Sequence, residues 1–254
     1  MSEPLLVVDG LTKAFGGVVA VDAVSFAVDA GETVAVIGPN GAGKTTCFNL
    51  IYGQLAPDRG DVRFDGRTLL GAPTHAIAHR GIGRTFQVTA TFASMTVREA
   101  VALVLAAHGR RDAAMLTGAM RIRSKPVDDA LERLQISDLA DVHCATLAYG
   151  EAKRLELALA LAQAPRLLLM DEPTAGMSPR SRIDLMTHAT GLAKRDGVAV
   201  LFTEHDMDIV FGFSDRVLVL DRGSLIAEGS PAEIKTNRRV RDVYLGGDDA
   251  PVSG

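Results

Sequence analysis

The amino-acid sequence predicts an α/β fold with a mainly parallel β-sheet flanked by helices. Short apolar runs, which are typical of strands buried on both faces, occur at Val34–Ile37, Arg166–Met170 and Val198–Thr203. Helical patterns follow these runs, and alternation of strands with helices favours a parallel sheet. The 254 residues are 47% hydrophobic and 23% charged, which is the composition of an ordinary globular protein with ample core.

The charge balance and the absence of long apolar runs exclude several classes of protein. The net charge of −4 and the lack of a long basic run give no support for nucleic-acid binding. No apolar run approaches the ~20 residues that span a bilayer, and the N-terminus lacks a signal-peptide pattern. The two cysteines, Cys47 and Cys144, do not form a disulfide framework. We therefore expect a cytosolic protein.

An antiparallel β element is predicted ahead of the first buried strand. Its segments are Leu5–Val8, Leu11–Phe15 and Val18–Val28. Alternating β-branched residues in the last segment are typical of a strand with one buried face. The ring of Phe15 is suited to stacking on an adenine base, although the residues alone favour a place in the core.

The most specific motif follows the strand Val34–Ile37. Residues 38–45, GPNGAGKT, fit the P-loop pattern G-x-x-x-x-G-K-[ST], with a strand before and a helix after. Glycines let the backbone bend around a phosphate and aim its N–H groups inward, and the helix adds its positive N-terminal end. The predicted nucleotide-binding residues of this segment are Gly38, Pro39, Asn40, Gly41, Ala42, Gly43, Lys44, Thr45 and Thr46.

Three of these residues have distinct predicted roles. Lys44 is suited to neutralise the β- and γ-phosphates, and the Thr45 hydroxyl is suited to bind Mg²⁺. The hydroxyl of Thr46 is suited to donate to the α-phosphate.

Polar residues at the ends of other predicted strands form the rest of the candidate site, because ligands in such folds gather at the carboxyl ends of the strands. Asp171 follows four apolar residues, and its carboxylate is suited to Mg²⁺. Glu172 points differently and is placed to orient or deprotonate an attacking water, with a helix cap as the alternative. His205 is suited to hydrogen-bond the γ-phosphate, and Gln87 to be a ligand of Mg²⁺ or of water.

The remaining elements are predicted from caps, turns and periodicity. They are a strand at Asp61–Phe64, a helix at Pro73–His79, a strand at Gly81–Gln87, a helix at Val97–Ala107 with a Thr96–Glu99 capping box, helices at Val127–Leu134, Ala152–Gln163 and Pro179–Lys194, a hairpin of Asp215–Leu220 with Ser224–Glu228, and helices at Pro231–Lys235 and Val240–Leu245. The basic stretch Gly109–Lys125 is predicted to be a solvated face, with a lipid or partner contact as the alternative.

The motifs resemble those of the nucleotide-binding subunit of an ABC transporter. The P-loop, GRTFQ, LAYGE, LLLMDEP and TEHD occur in the order of that family. The resemblance implies a P-loop NTPase fold with a helical subdomain. The implied boundaries are a single ATPase domain over 4–246, with its core at 4–88 and 165–246 and its helical subdomain at about 89–164. The residues themselves predict a disordered tail at 247–254.

The resemblance also implies the roles of individual residues. Phe15 stacks on adenine, Gln87 is the lid-loop glutamine that senses the membrane subunit, Glu172 is the catalytic carboxylate and His205 is the switch histidine. The signature residues, which contact ATP held by the other subunit of a head-to-tail dimer, are Leu147, Ala148, Tyr149, Gly150 and Glu151.

Three positions depart from the family's usual pattern, and all fall on contacts across the dimer interface. The usual signature is LSGGQ, but Ala148 replaces its serine and Tyr149 replaces its first glycine. Ser178 stands where an aspartate usually ends the loop after Glu172.

Longer stretches, including IGPNGAGKTTCFNLIYG, LAYGEAKRLELALALA and PTAGMSP, are similar to the ATPases of branched-chain amino acid importers. This implies an ATPase that binds ATP and Mg²⁺, closes as a dimer and powers solute import. The implied partners are a second ATPase subunit, either a different chain or a second copy, membrane permease subunits and, indirectly, a periplasmic or extracellular solute-binding protein. No nucleic acid is implied, and the implied location is the inner face of the cell membrane. Alternatives are an exporter subunit of the lipopolysaccharide type, an ABC ATPase without a transporter, and a P-loop kinase. A kinase would not explain the LAYGE motif.

Overall fold

A computed structural model describes residues 3–85, 92–108, 125–133 and 135–245 of the protein. The strands are β1 (Leu6–Phe15), β2 (Val18–Val28), β3 (Thr33–Ile37), β4 (Arg59–Phe64), β5 (Arg67–Thr68), β6 (Ile82–Arg84), β7 (Leu167–Asp171), β8 (Ala199–Thr203), β9 (Arg216–Asp221) and β10 (Ser224–Gly229). The helices are α1 (Lys44–Ile51), α2 (Thr74–His79), α3 (Val97–His108), α4 (Lys125–Arg133), α5 (Tyr149–Ala162), α6 (Pro179–Asp196), α7 (Met207–Phe213), α8 (Pro231–Thr236) and α9 (Arg238–Leu245), with 3₁₀ turns at Ser137–Leu139 and Cys144–Thr146.

The predicted antiparallel element is present as a four-stranded sheet in the order β2-β1-β4-β5. One detail of its prediction is wrong, because Leu5–Val8 and Leu11–Phe15 are not separate strands. They form the single strand β1, whose pairing with β2 shifts register between Val8 and Leu11. Gly10 lies at this irregularity with φ +58°, a conformation that glycine adopts without a Cβ penalty.

The mainly parallel sheet is also confirmed, and it has six strands in the order β10-β9-β3-β8-β7-β6. Strands β6, β7, β8, β3 and β9 are parallel to their neighbours, and β10 pairs with β9 as an antiparallel hairpin. Asp171 at the end of β7 pairs in register with Thr203 at the end of β8. The residues that follow β3, β7 and β8 therefore emerge at the same edge of the sheet.

Both faces of this sheet are buried, which explains why its strands read as continuous apolar runs. In β3, Val34 and Val36 join a hydrophobic cluster that contains the antiparallel sheet and α1. Ala35 and Ile37 point to the opposite face, where residues of α3 to α7 form a second cluster. The antiparallel sheet and the helices are thus packed on opposite faces of the same central sheet.

Helix α3 begins at Val97 as predicted, whereas α4 begins at Lys125 instead of Val127, and α5 also begins earlier than predicted. The Thr96–Glu99 capping box of α3 is confirmed, since Thr96 N donates to Glu99 Oε2 at 2.8 Å and Glu99 N donates to Thr96 Oγ1 at 3.3 Å. Helix α5 begins at Tyr149, three residues before the predicted start at Ala152. Glu151 stabilises the additional turn, because its Oε2 accepts from Ala148 N at 2.8 Å.

The C-terminal helix α9 begins at Arg238, two residues earlier than predicted, because the side chain of Asn237 accepts from the N–H groups of Arg239 and Val240. The predicted tail at 247–254 and most of the basic stretch Gly109–Lys125 lie outside the described residues. The division into a core and a helical subdomain stays a prediction. None of the described helices is long and apolar enough to cross a membrane.

Candidate functional site

The P-loop is held between the two sheets by close backbone contacts. A Cβ at Gly38 would lie 2.3 Å from the carbonyl oxygen of Leu220, and a Cβ at Gly43 would lie 2.3 Å from that of Ala20. These distances exclude any side chain, so both glycines are required by the approach of neighbouring strands. Gly41 has φ +81° with open space around it, so its need for glycine is conformational. The loop is therefore fixed at its ends and open on its outer side.

Lys44 lies inside this loop. Its Nζ donates to the carbonyl oxygens of Gly38 at 2.7 Å and Pro39 at 3.2 Å, and its side chain is buried. Burial lowers the pKa of Lys44, and the charges of Glu172 and Asp171 partly offset this shift. The ammonium group is thus close enough to both carboxylates to interact electrostatically with them. The side chain of Thr45 is exposed at the start of α1.

The hydroxyl of Thr203 joins Asp171 and Glu172. It donates to Asp171 Oδ1 at 2.7 Å and accepts from Glu172 N at 2.9 Å, and Thr203 is fully buried. The side chain of Arg84 lies on the other side of Asp171, with Nη2 3.5 Å from Oδ2. Asp171 is therefore held from two sides in one orientation.

Glu172 has a left-handed backbone, with φ +47°. Such a conformation costs about 1–3 kcal/mol for a residue other than glycine and is common at functional sites. Its carboxylate lies beside His205, with Oε1 2.8 Å from Nε2, and both side chains are about two-fifths exposed. The predicted general base and the predicted switch histidine therefore touch at the edge of the sheet.

Glu204, which precedes His205, was not predicted as a site residue from the sequence. Its carboxylate is buried and accepts from Thr174 N at 2.8 Å, Thr174 Oγ1 at 2.6 Å and His205 N at 3.2 Å. It therefore joins the loop after β7 to the loop after β8. A carboxylate directly after an apolar strand is the same signal that identified Asp171.

Arg84 is the second missed residue. Its guanidinium is buried and donates from Nη1 to Asn49 Oδ1 and Gln54 Oε1, each at 2.8 Å. Burial lowers the pKa of Arg84, while Asp171 acts in the opposite direction. The sequence signal was a lone arginine in a short apolar strand. Gln87, three residues further on, lies outside the described residues.

Phe15 ends β1, and 46% of its surface is exposed, so the interpretation that it belongs to the core is wrong. The ammonium of Lys13 lies 5.6 Å from the centre of its ring. Val18, its partner across the hairpin, is exposed, whereas Val21 is buried. An aromatic ring is thus available on the surface of the antiparallel sheet.

The signature segment begins α5. Ala148 is the N-cap residue but has no side-chain acceptor. Tyr149 is exposed, and its hydroxyl donates to the carbonyl oxygen of Ala175 at 2.9 Å. A Cβ at Gly150 would lie 3.7 Å from Met177 Cε, which is ordinary contact. This segment therefore adjoins the loop that follows Glu172.

The sequence profile of the family described as "ABC transporter" matches residues 21–175. The chain belongs to the ABC transporter family. A second profile, described as "Branched-chain amino acid ATP-binding cassette transporter", matches residues 224–250 of this ABC protein.

Relatives of this ABC protein align along nearly the whole chain. The high-affinity branched-chain amino acid transport ATP-binding protein BraF of Pseudomonas aeruginosa is 39% identical, over 97% of this chain and 99% of that protein. The protein LivG of Salmonella typhimurium, with the same description, has the same identity and coverage. The crystal structure of the ADP conformation of an ATP-binding cassette from an ABC transporter is similar with a TM-score of 0.84 and 31% identity, covering 96% of this chain and 100% of that one.

Proposed function

We propose that this ABC protein is the ATP-hydrolysing subunit of an importer for branched-chain or related amino acids. The observation that supports hydrolysis most strongly is the contact of Glu172 with His205, at 2.8 Å, on the sheet edge where the P-loop lysine lies. The names of the relatives support the amino-acid substrate and favour it over lipopolysaccharide export.

The P-loop residues bind the phosphates in this proposal. The N–H groups of residues 40–46 surround the β-phosphate, and Lys44 pairs with the β- and γ-phosphates in place of its present carbonyl contacts. A negative phosphate favours the charged ammonium and so opposes the lowering of the Lys44 pKa by burial. Thr46 donates to the α-phosphate, and Phe15 stacks on the adenine.

The donor set fits a magnesium ion that takes most of its ligands from phosphates and water. Among the described residues, no group of three or more His, Cys, Asp or Glu side chains is arranged to hold a metal. Mg²⁺ in phosphate sites commonly uses one or two carboxylates, so Asp171 and the hydroxyl of Thr45 suffice on the protein side. Gln87 is proposed as a further ligand. When bound, Mg²⁺ neutralises part of the charge on the β- and γ-phosphates.

Glu172 and His205 carry out the hydrolytic step. Glu172 orients a water and accepts its proton as the water oxygen attacks the γ-phosphorus and the bond to the β-phosphate oxygen breaks, which releases ADP and phosphate. His205, beside Glu172, donates a hydrogen bond to the γ-phosphate. Glu204 keeps the loops of both residues in place.

The assembly follows from the same proposal. The segment Leu147–Glu151 closes on ATP held by a second ATPase subunit, which is a different chain or a second copy. The region of Gln87 contacts the permease subunits, so the protein lies on the cytoplasmic face of the membrane, and a solute-binding protein acts through the permease.

Uptake of radiolabelled leucine, isoleucine and valine by cells that lack the gene tests this proposal. Uptake should fall and should return with the unchanged gene but not with Glu172→Gln. Normal uptake in the deleted strain, with the loss of another solute, would overturn the assignment of the substrate.

A further inference from the structure

The loop Pro173–Ser178 connects β7 to α6 and begins directly after Glu172. One of its contacts comes from Glu204, which follows the neighbouring strand β8, and another comes from Arg182 in α6. Glu204 accepts from both the N–H and the hydroxyl of Thr174. Arg182 Nε donates to the carbonyl oxygen of Met177 at 2.8 Å, and its Nη1 pairs with Asp206 at 2.7 Å. These contacts attach both ends of the loop to the hydrolytic edge of the sheet.

The middle of the loop is held by Tyr149 of the signature segment. Its hydroxyl donates to the carbonyl oxygen of Ala175 at 2.9 Å. Its ring lies beside Gly176, which has φ +77° and at which a Cβ would be 3.4–3.5 Å from ring atoms and the hydroxyl oxygen. Glycine therefore serves the turn without strain, and the ring of Tyr149 lies within contact distance of this position.

Two consecutive hydrogen bonds lead from the signature segment to Glu172. Tyr149 donates to the carbonyl group of Ala175, and the N–H of Ala175 donates to the carbonyl oxygen of Glu172 at 3.2 Å. A shift of the Tyr149 hydroxyl is therefore transmitted by two hydrogen bonds to a residue with a left-handed backbone, whose conformation depends on such contacts.

We propose that Tyr149 is a positioning residue that couples the signature segment of this chain to the chain's own Glu172. The proposal rests on the proposed function, in which Leu147–Glu151 closes on ATP bound by the other subunit. When that ATP draws the start of α5 toward the dimer interface, the Tyr149 hydroxyl moves the carbonyl of Ala175 and with it the carboxylate of Glu172. ATP at one site thereby adjusts hydrolysis at the other.

This role accounts for two of the departures from the usual family pattern. A glycine at position 149 has no side chain to reach Ala175, whereas tyrosine does. Ser178 is also used within its own chain, since its Oγ lies 2.9 Å from Ser181 Oγ and accepts from Ser181 N at 3.4 Å at the start of α6. Both residues thus fix the loop that carries Glu172 into α6.

The first experiment compares the full chain with Tyr149→Phe, which keeps the ring and removes only the hydroxyl. Thr146→Val is the matched control, because the exposed Thr146 hydroxyl also donates to a backbone carbonyl at 2.8 Å but does not contact the loop. Loss of one hydrogen bond corresponds to a decrease in kcat of about two- to tenfold for Tyr149→Phe, with unchanged affinity for MgATP. Amide hydrogen exchange in residues 172–178 should be faster in Tyr149→Phe and unchanged in Thr146→Val.

Mixed dimers of two tagged versions of the chain test the direction of the coupling. One chain carries an intact Glu172 and the other Glu172→Gln, so that hydrolysis occurs at one site. Coupling predicts a lower rate when Tyr149→Phe is on the chain with the intact Glu172. A decrease only when it is on the opposite chain would show that Tyr149 acts on the partner's ATP, and would overturn the proposal.

Failure of the inference is distinguishable from failure of the proposed function. If the unchanged chain neither binds nor hydrolyses ATP, the proposed function fails. The exchange comparison requires no turnover, and equal exchange in Tyr149→Phe and the unchanged chain would overturn the link between Tyr149 and the loop. Equal kcat in the two proteins would overturn the coupling.

Discussion

His205 Nε2 lies 2.8 Å from Glu172 Oε1, although the two residues are separated by 33 positions in the sequence. Each residue follows a buried parallel strand, and the pairing of Asp171 with Thr203 brings the two strand ends level. Their contact therefore results from the sheet register together with the left-handed backbone of Glu172.

The buried carboxylate of Glu204 should maintain this contact. Thr174→Val removes a hydroxyl that donates to Glu204, and we expect a loss of about 1–3 kcal/mol in the free energy of unfolding, because a buried polar partner is lost. The kcat for ATP should also fall while the affinity for MgATP is retained. Thr174→Ser is the matched control, since it keeps the hydroxyl. Denaturant unfolding and steady-state kinetics check the prediction, and equal losses in the two variants would contradict it.

Burial raises the pKa of Cys47 from 9.0 to about 12, which predicts a pH dependence of stability. Below pH 9.0, the pKa of the unfolded chain, the thiol keeps its proton in the folded and the unfolded states. Between pH 9.0 and about 12, only the unfolded chain loses the proton. The free energy of unfolding therefore falls as the pH rises, by up to about 1.4 kcal/mol per pH unit. Cys47→Ala removes this contribution.

Urea unfolding at about pH 8 and about pH 10 measures the free energy of unfolding of the unchanged protein and of Cys47→Ala. Between these pH values, the free energy of the unchanged protein should fall by about 1.4 kcal/mol relative to that of Cys47→Ala. Cys144 is present in both proteins, so its titration cancels. A difference that does not change with pH would contradict the burial of the Cys47 thiol.

Ala148→Ser should act in two ways, because residue 148 is the N-cap of α5. A serine can accept from the N–H of Glu151, which should raise the free energy of unfolding by about 0.5–2 kcal/mol. It can also donate to the γ-phosphate of the partner's ATP. We therefore expect stronger ATP-driven dimerisation in a Glu172→Gln background, measured by sedimentation.

Ala148→Asp separates the two effects of the serine. Aspartate caps the helix but repels the phosphate, so the stability should rise while dimerisation weakens. If serine leaves the dimerisation constant unchanged, the backbone N–H groups of α5 already satisfy the phosphate.

The sequence predicted the strands of the parallel sheet well, for a physical reason. The strands β3, β7 and β8 are apolar on both faces. Strand β3 ends directly before the first glycine of the P-loop, and β7 and β8 end at polar residues, so their limits are visible without tertiary information. The P-loop was recognisable from the spacing of its glycines and lysine. The contacts of Gly38 with Leu220 and of Gly43 with Ala20 explain why these two positions permit no other residue.

Features that depend on long-range partners could not be predicted. Glu204 bonds to Thr174, 30 residues away, and Arg84 bonds to Asn49, 35 residues away. Tyr149 meets Ala175 across 26 residues. The early start of α5 depends on the side chain of Glu151, which lies inside the helix and accepts from the N–H of Ala148. The hydrophobic periodicity of the sequence does not reveal this contact.

The comparison of Glu172→Gln with Lys44→Ala tests the proposed site most directly. The variant Lys44→Ala should lose MgATP binding, because the buried cation of the P-loop is removed. Glu172→Gln should bind MgATP with the affinity of the unchanged protein, while its hydrolysis rate falls by about 10²–10⁴-fold, the contribution of a general base. Hydrolysis by Glu172→Gln at the rate of the unchanged protein would contradict the account of this site.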